Sequence, residues 1–178
     1  MLNAGDTVAA RTLTTIDGND IAIPAGGGLV HLQFRRFAGC PICTLHLREV
    51  ARRLGEITTA GVTEVVVFHS AADALRRYQA DLPFAVVADP DRELYDEFDV
   101  RSSLRSILRP DVARAAGRAV REIRSVRSLV GGLAPTENHL GKPADFLIGP
   151  DGAIRACKYG EHADDQWSVD ELLRLVAT

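Results

Sequence analysis

Cys40 and Cys43 stand on either side of Pro41-Ile42 in the stretch Phe37-Ala38-Gly39-Cys40-Pro41-Ile42-Cys43-Thr44. A strand-like run ends just before it, near Arg35, and a long amphipathic run follows. Two thiols so close together suit thiolate chemistry on peroxides or disulfides, because the thiolate and not the thiol is the nucleophile. Proline is favoured at the first position of a helix, where its missing N–H costs nothing. Pro41 therefore predicts a helix with Cys40 at its N-cap and Cys43 in the first turn. Unpaired backbone N–H groups and the positive end of the helix dipole then face the Cys40 sulfur and favour its anion. Residues three apart on a helix are neighbours, with Cβ atoms roughly 5–6 Å apart, and a small local shift brings them to disulfide distance. Cys40 is the expected attacking thiolate, and Cys43 can resolve what forms on it. Plain packing of two small apolar side chains is the alternative; the preceding strand and following helix favour redox chemistry.

The other candidates are weighed against this pair. Arg36, four residues before Cys40, could lower the thiol's pKa and stabilise charge on a leaving oxygen. Arg35 points the opposite way on a strand, so one of the two arginines is expected to face the site. His46 is one turn beyond Cys43 but shows no orienting partner and reads as a surface histidine. His69, His139 and His162 read as structural or solvated, and Cys157 as a half-buried structural thiol. One cysteine pair is half of a four-ligand zinc site, and no second pair or paired histidines accompany it, so no metal is expected.

The elements that position the pair follow from periodicity. Arg11 to Ile23 alternate around Asp17-Gly18-Asn19-Asp20, an N-terminal hairpin leading to Pro24. Leu29 to Phe34 reads as a buried central strand. From Cys40 the apolar positions Leu47, Val50, Ala51, Leu54 and Ile57 make one helical stripe, stopped at Gly61. Glu64 to Phe68 is a second strand, and Ser70 with Asp73 resembles a capping box for a helix to about Ala80. Phe84 to Val87 is a third, parallel strand, and Asp89-Pro90-Asp91 opens a helix through Leu94, Tyr95 and Phe98. An Arg-rich stretch at about 101–135, broken at Pro110, reads as an inserted pair of amphipathic helices. Ala144 to Ile148 and Ala153 to Tyr159 form a hairpin about Pro150-Asp151-Gly152, and Ser168 with Glu171 caps a final helix. This alternation predicts an α/β fold around a mixed sheet, with Cys40 beyond the C-terminal ends of its strands.

Composition agrees with one globular domain over 1–178, since 46% hydrophobic residues suffice for a sizeable core. A net charge of −3 gives no global reason to expect nucleic acid or an anionic membrane surface. No apolar run is long enough to span a bilayer. Three cysteines and the absence of a signal-peptide pattern point to the reducing cytoplasm.

The run Phe34-Arg35-Arg36-Phe37-Ala38-Gly39-Cys40-Pro41-Ile42-Cys43-Thr44-Leu45-His46-Leu47-Arg48 resembles the peroxiredoxin-like branch of the alkyl hydroperoxide reductase and thiol-specific antioxidant family, which includes selenoprotein-L-like proteins. The likeness continues through Ala88-Asp89-Pro90-Asp91 and from Pro143 to Gly152, and so covers most of the chain outside the insertion. It implies a thioredoxin-like fold with a peroxiredoxin-type extra strand and helix, Cys40 as the attacking residue and Cys43 as its partner. Phe37, Gly39 and Pro41 then line the substrate side, and Pro143 matches a proline that is usually cis and sits against the disulfide. The implied activity is that of a thiol-dependent oxidoreductase. Its substrate is a hydroperoxide or a disulfide, thioredoxin or glutathione restores the dithiol, no bound cofactor is needed, and a homodimer is expected as in related folds. Alternatives are a protein disulfide reductase with little peroxidase activity and a redox-switched interaction domain. The chain departs from the usual peroxiredoxin pattern, with Gln33 and Phe37 where a proline and a threonine precede the attacking cysteine.

Overall fold

The computed structural model describes residues 1–100 and 141–178. The insertion expected at about 101–135, and His139, lie outside the described residues. Among the described residues twelve elements follow in chain order: β1 (Arg11–Thr14), β2 (Asp20–Ile23), β3 (Leu29–Arg35), α1 (Pro41–Arg52), α2 (Leu54–Thr59), β4 (Val62–Phe68), α3 (Ala72–Gln79), β5 (Ala85–Ala88), α4 (Glu93–Glu97), β6 (Ala144–Ile148), β7 (Ile154–Tyr159) and α5 (Val169–Val176). The main sheet has five strands in the order β5-β4-β3-β6-β7. Strands β3, β4 and β5 are parallel, whereas β6 and β7 run antiparallel to their neighbours. No described helix is long and apolar enough to cross a membrane.

Strand β3 is central because both of its faces are buried. Val30, Leu32 and Phe34 pack on one face with Val65, Val67, Tyr95, Phe98, Phe146 and Ile148. On the other side α1 contributes Cys43 and Leu47 to a cluster with Val66, Phe68 and Leu75, while Trp167 and Leu172 close the far end with Val50 and Ile57. Strands β1 and β2 form the expected hairpin. Its turn docks on β5, where Thr15 bridges Val87 and the Ile16 N–H donates to Val86 O at 2.8 Å. The first residues dock on β7 through Gly5 N–H to Ile154 O and Ile154 N–H to Asp6 O, each 2.8 Å. At the other turn Gly152 adopts φ +78°, the left-handed conformation that makes glycine the suitable residue there.

Three expectations need correction. The single helix read from Cys40 to Ile57 is two, because Arg53 leaves helical geometry at φ −105°, ψ 13°; its guanidinium there pairs with Glu56 and Asp170. Ser70 does not cap α3, whose N-cap is Ala71 with no side-chain bond; the Ser70 hydroxyl accepts the Ala38 N–H at 2.9 Å instead. Pro143 is trans, and the cis peptide among the described residues is Ile23–Pro24. Pro143 is buried on Gly160, whose N–H donates to its carbonyl at 2.9 Å. The capping box of Ser168 and Glu171 is present on α5.

Under α1 the sheet carries a polar face. His31, Gln33 and Arg35 alternate along β3 and are all buried. Register sets Glu64 of β4 beside His31, and Asp145 of β6 beside Gln33. His31 Nδ1 lies 3.0 Å from both Glu64 oxygens and Nε2 lies 3.1 Å from Asp145 Oδ1. Arg35 Nη2 donates to Asp145 Oδ1 and Gln33 Oε1, each at 2.6 Å, and the Gln33 amide donates to Glu64. The Trp167 N–H takes the second Asp145 oxygen at 3.2 Å. Burial pulls the His31 pKa down, but the flanking carboxylates outweigh it and raise it to about 9. Burial likewise disfavours the Asp145 anion, yet Arg35 and His31 hold it well below the usual carboxylate range. His31 is therefore a cation at neutral pH. The stability it contributes is complete below its unfolded pKa of about 6.5 and is lost as pH rises through about 9. A titration followed on the His31 ring by NMR is expected to show imidazolium at pH 7; a neutral ring there would remove the ion pairs.

Candidate active site

Cys40 is the N-cap of α1, at φ −65° and ψ 114°, and Pro41 opens the helix. The Cys43 N–H donates to Cys40 Sγ at 3.3 Å, the Cys43 thiol approaches the same sulfur at 2.7 Å, and Arg36 Nη1 donates to it at 3.9 Å. Both cysteines are free and fully buried. Burial alone pushes the Cys40 thiol up. The Cys43 thiol, the Arg36 charge and the backbone N–H groups of Cys43 and Ile42 more than offset it and bring the pKa down to about 7. For Cys43, burial and the hydrogen bond given to Cys40 act together, and its pKa rises well above the ordinary thiol value. One sulfur is poised as an anion and its neighbour holds a proton.

The approach loop is held from several sides. Besides Ser70, the Gln79 amide donates to Ala38 O, and the Thr44 hydroxyl donates to Cys40 O at 3.0 Å. The Phe37 ring is buried with the Arg36 guanidinium 5.4 Å above it, a cation–π contact that aims the arginine. Gly39 is buried beside it. His69, just past β4, is buried edge-on to Tyr95 at 5.5 Å between centroids. A Cβ at Gly141 would meet both His69 Nε2 at 2.9 Å and Arg36 Cγ at 3.6 Å, so a bare backbone is what lets those side chains converge.

The structure thus brings together Cys40, Cys43, Arg36, Phe37, Gly39 and Pro41, at the C-terminal ends of parallel strands, while Pro143 packs on Gly160. Of the two arginines, Arg36 faces Cys40, and Arg35 is buried under α1. His46 is not the surface residue it reads as: half-buried, it accepts a hydrogen bond from Arg35 Nη2 at 3.1 Å. The charged cluster is not among the expected site residues, and its trace in the sequence is the alternation of His31, Gln33 and Arg35 through an otherwise apolar strand.

Fold and site together define a thioredoxin-like protein with a Cys-X-X-Cys dithiol at a helix N-terminus. The chain belongs to the AhpC/TSA family, whose model matches residues 4–157. Over 96 residues it is 32% identical to a Mycobacterium tuberculosis protein that carries a peroxiredoxin name, a match that covers 52% of this chain and 61% of that protein. Its fold resembles that of peroxidoxin BcpB from Mycobacterium tuberculosis, with a TM-score of 0.70 and 15% identity over 99% of this chain and 97% of the other. A Chlorobium tepidum protein assigned to the thiol:disulfide interchange class aligns over 99% of both chains, with a TM-score of 0.61 and 17% identity.

The geometry predicts the pH dependence of Cys40 alkylation. The thiolate forms as pH rises through about 7, so the iodoacetamide reaction, followed by mass spectrometry, is expected to reach half its limiting rate there. Arg36→Met removes a cation and is expected to move that midpoint upward, toward about pH 8; an unmoved midpoint would remove Arg36 from the thiolate's surroundings.

Proposed function

We propose that this protein is a thiol-dependent oxidoreductase in which Cys40 attacks and Cys43 resolves. The observation that carries the reading is the 2.7 Å approach of the Cys43 thiol to a Cys40 sulfur placed at the α1 N-cap. With a hydroperoxide, the Cys40 S–O bond forms as the O–O bond breaks, and the departing oxygen takes a proton and leaves as alcohol or water. Arg36 stabilises the charge on that oxygen. The Cys43 sulfur then displaces the sulfenic oxygen, which leaves as water with the Cys43 proton, and an internal disulfide remains. A dithiol of the thioredoxin kind, or two molecules of glutathione, returns two electrons and two protons. Such a cycle suits a reducing compartment such as the cytoplasm.

Phe37 favours a second reading. It occupies the place where the resemblance calls for a threonine hydroxyl to orient the peroxide, and its buried ring offers none. A disulfide substrate needs no such hydroxyl, and a protein disulfide reductase with little peroxidase activity follows.

Rapid mixing of the reduced protein with hydrogen peroxide separates the two. Disulfide formation well above the rate of a free cysteine thiolate is expected for the peroxidase, and a rate no faster assigns the site to disulfide exchange. Cys43→Ser is expected to consume a single equivalent of peroxide and stall as a sulfenic acid or mixed disulfide. Sustained turnover by this variant would remove Cys43 from the resolving role.

A further inference from the structure

The apolar stripe that seats α1 on the sheet, Cys43, Leu47 and Val50, is non-directional and fixes the rotation of the helix less sharply than a hydrogen bond does. Resolution needs better than that, since the Cys43 sulfur must come within bonding distance of Cys40. His46 lies one turn past Cys43 and supplies a directional contact to the sheet, its Nε2 accepting from Arg35 Nη2 at 3.1 Å. Arg35 has no slack to give. Its guanidinium is wholly buried and held by Asp145, Gln33, the Phe34 carbonyl at 3.1 Å and the Ala144 carbonyl at 3.4 Å.

We infer that Arg35 and His46 are positioning residues for the resolving step, through which the buried charge cluster locks the turn of α1 that carries Cys43. The inference rests on the proposed role of Cys43. The lock needs a neutral His46, because only an unprotonated Nε2 accepts. The groups that face it are Arg35, His31 and Asp145; burial and the Arg35 cation push its pKa down to about 3, against the Asp145 charge. The acceptor is thus present throughout the working pH range, and the lock does not titrate with Cys40. His46 is no base for Cys43 in this arrangement, since its lone pair is already engaged by a cation.

Three proteins test this: wild type, His46→Leu, which removes the α1 acceptor of Arg35 Nη2 while Gln33 and Asp145 still take its N–H groups, and His46→Gln, whose amide oxygen can replace the imidazole nitrogen. Two rates are measured on each, alkylation of Cys40 by iodoacetamide and closure of the Cys40–Cys43 disulfide after one equivalent of a small disulfide oxidant. Misplacement by about 1 Å can slow an aligned reaction by as much as ~100-fold, so His46→Leu is expected to slow closure at least about tenfold, with Cys40 alkylation within about twofold of wild type. His46→Gln is expected to restore closure to within about threefold. Should the Leu variant not fold, His46→Asn, polar but too short to reach Arg35, replaces it in the comparison. Wild-type closure in the Leu or Asn variant overturns the inference, as does a parallel fall of both rates, which marks a merely structural residue. A wild-type protein that closes no disulfide overturns the proposed function and this inference together.

Discussion

Two carboxylates, Glu64 and Asp145, are buried with two cations, His31 and Arg35, in the layer between the central strands and the helix that carries the dithiol. Charges taken out of water are tolerated only when paired and hydrogen-bonded, and removal of one partner typically costs about 3–5 kcal/mol. The cluster joins β3 to β4 and β6, ties the segment that leads into α5 through the Trp167 N–H, and reaches α1 through His46. It also discriminates between registers. A one-residue slip of β3 would send His31, Gln33 and Arg35 into the apolar face and leave Glu64 and Asp145 without cations. The register in turn sets where β3 ends, and so where Cys40 begins α1.

At the sulfur itself, opposing effects are of similar size, and the arrangement decides between them. Burial disfavours a thiolate, and the helix start, Arg36 and the Cys43 proton together reverse that. The hydrogen bond that makes Cys40 acidic makes its neighbour the opposite. The two thiols have one chemistry and different environments, and under the proposed function that difference suits one to attack and the other to resolve.

Features set by short-range chemistry were legible in the sequence. Pro41 after Cys40, the capping box of Ser168 and Glu171, the β1–β2 hairpin and the β-branched run of β4 each depend on neighbours a few residues away. What was not legible depends on distant partners. His31 meets Glu64 33 residues on and Asp145 114 residues on, and periodicity marks a face without naming what it will touch. His46 read as exposed because its partner comes from the strand and not from its own helix. Ser70 carries the residue type of a cap, yet the loop before Cys40 takes its hydroxyl. At the break at Arg53 the guanidinium likewise meets a distant partner, Asp170 of α5.

The N-terminal residues do more than precede the sheet. Ile16 bonds the outer side of β5 at Val86, Gly5 and Asp6 bond Ile154 at the start of β7, and Val8 bonds Gly152 in the turn before it, so Val86 O and the backbone of Ile154 are already satisfied at the two rims. An unpaired rim is a template for strand addition and aggregation. This segment occupies part of each margin, and another chain adding a strand at β5 must first displace the hairpin turn. Association between copies is thereby steered away from that rim and toward surfaces built from side chains.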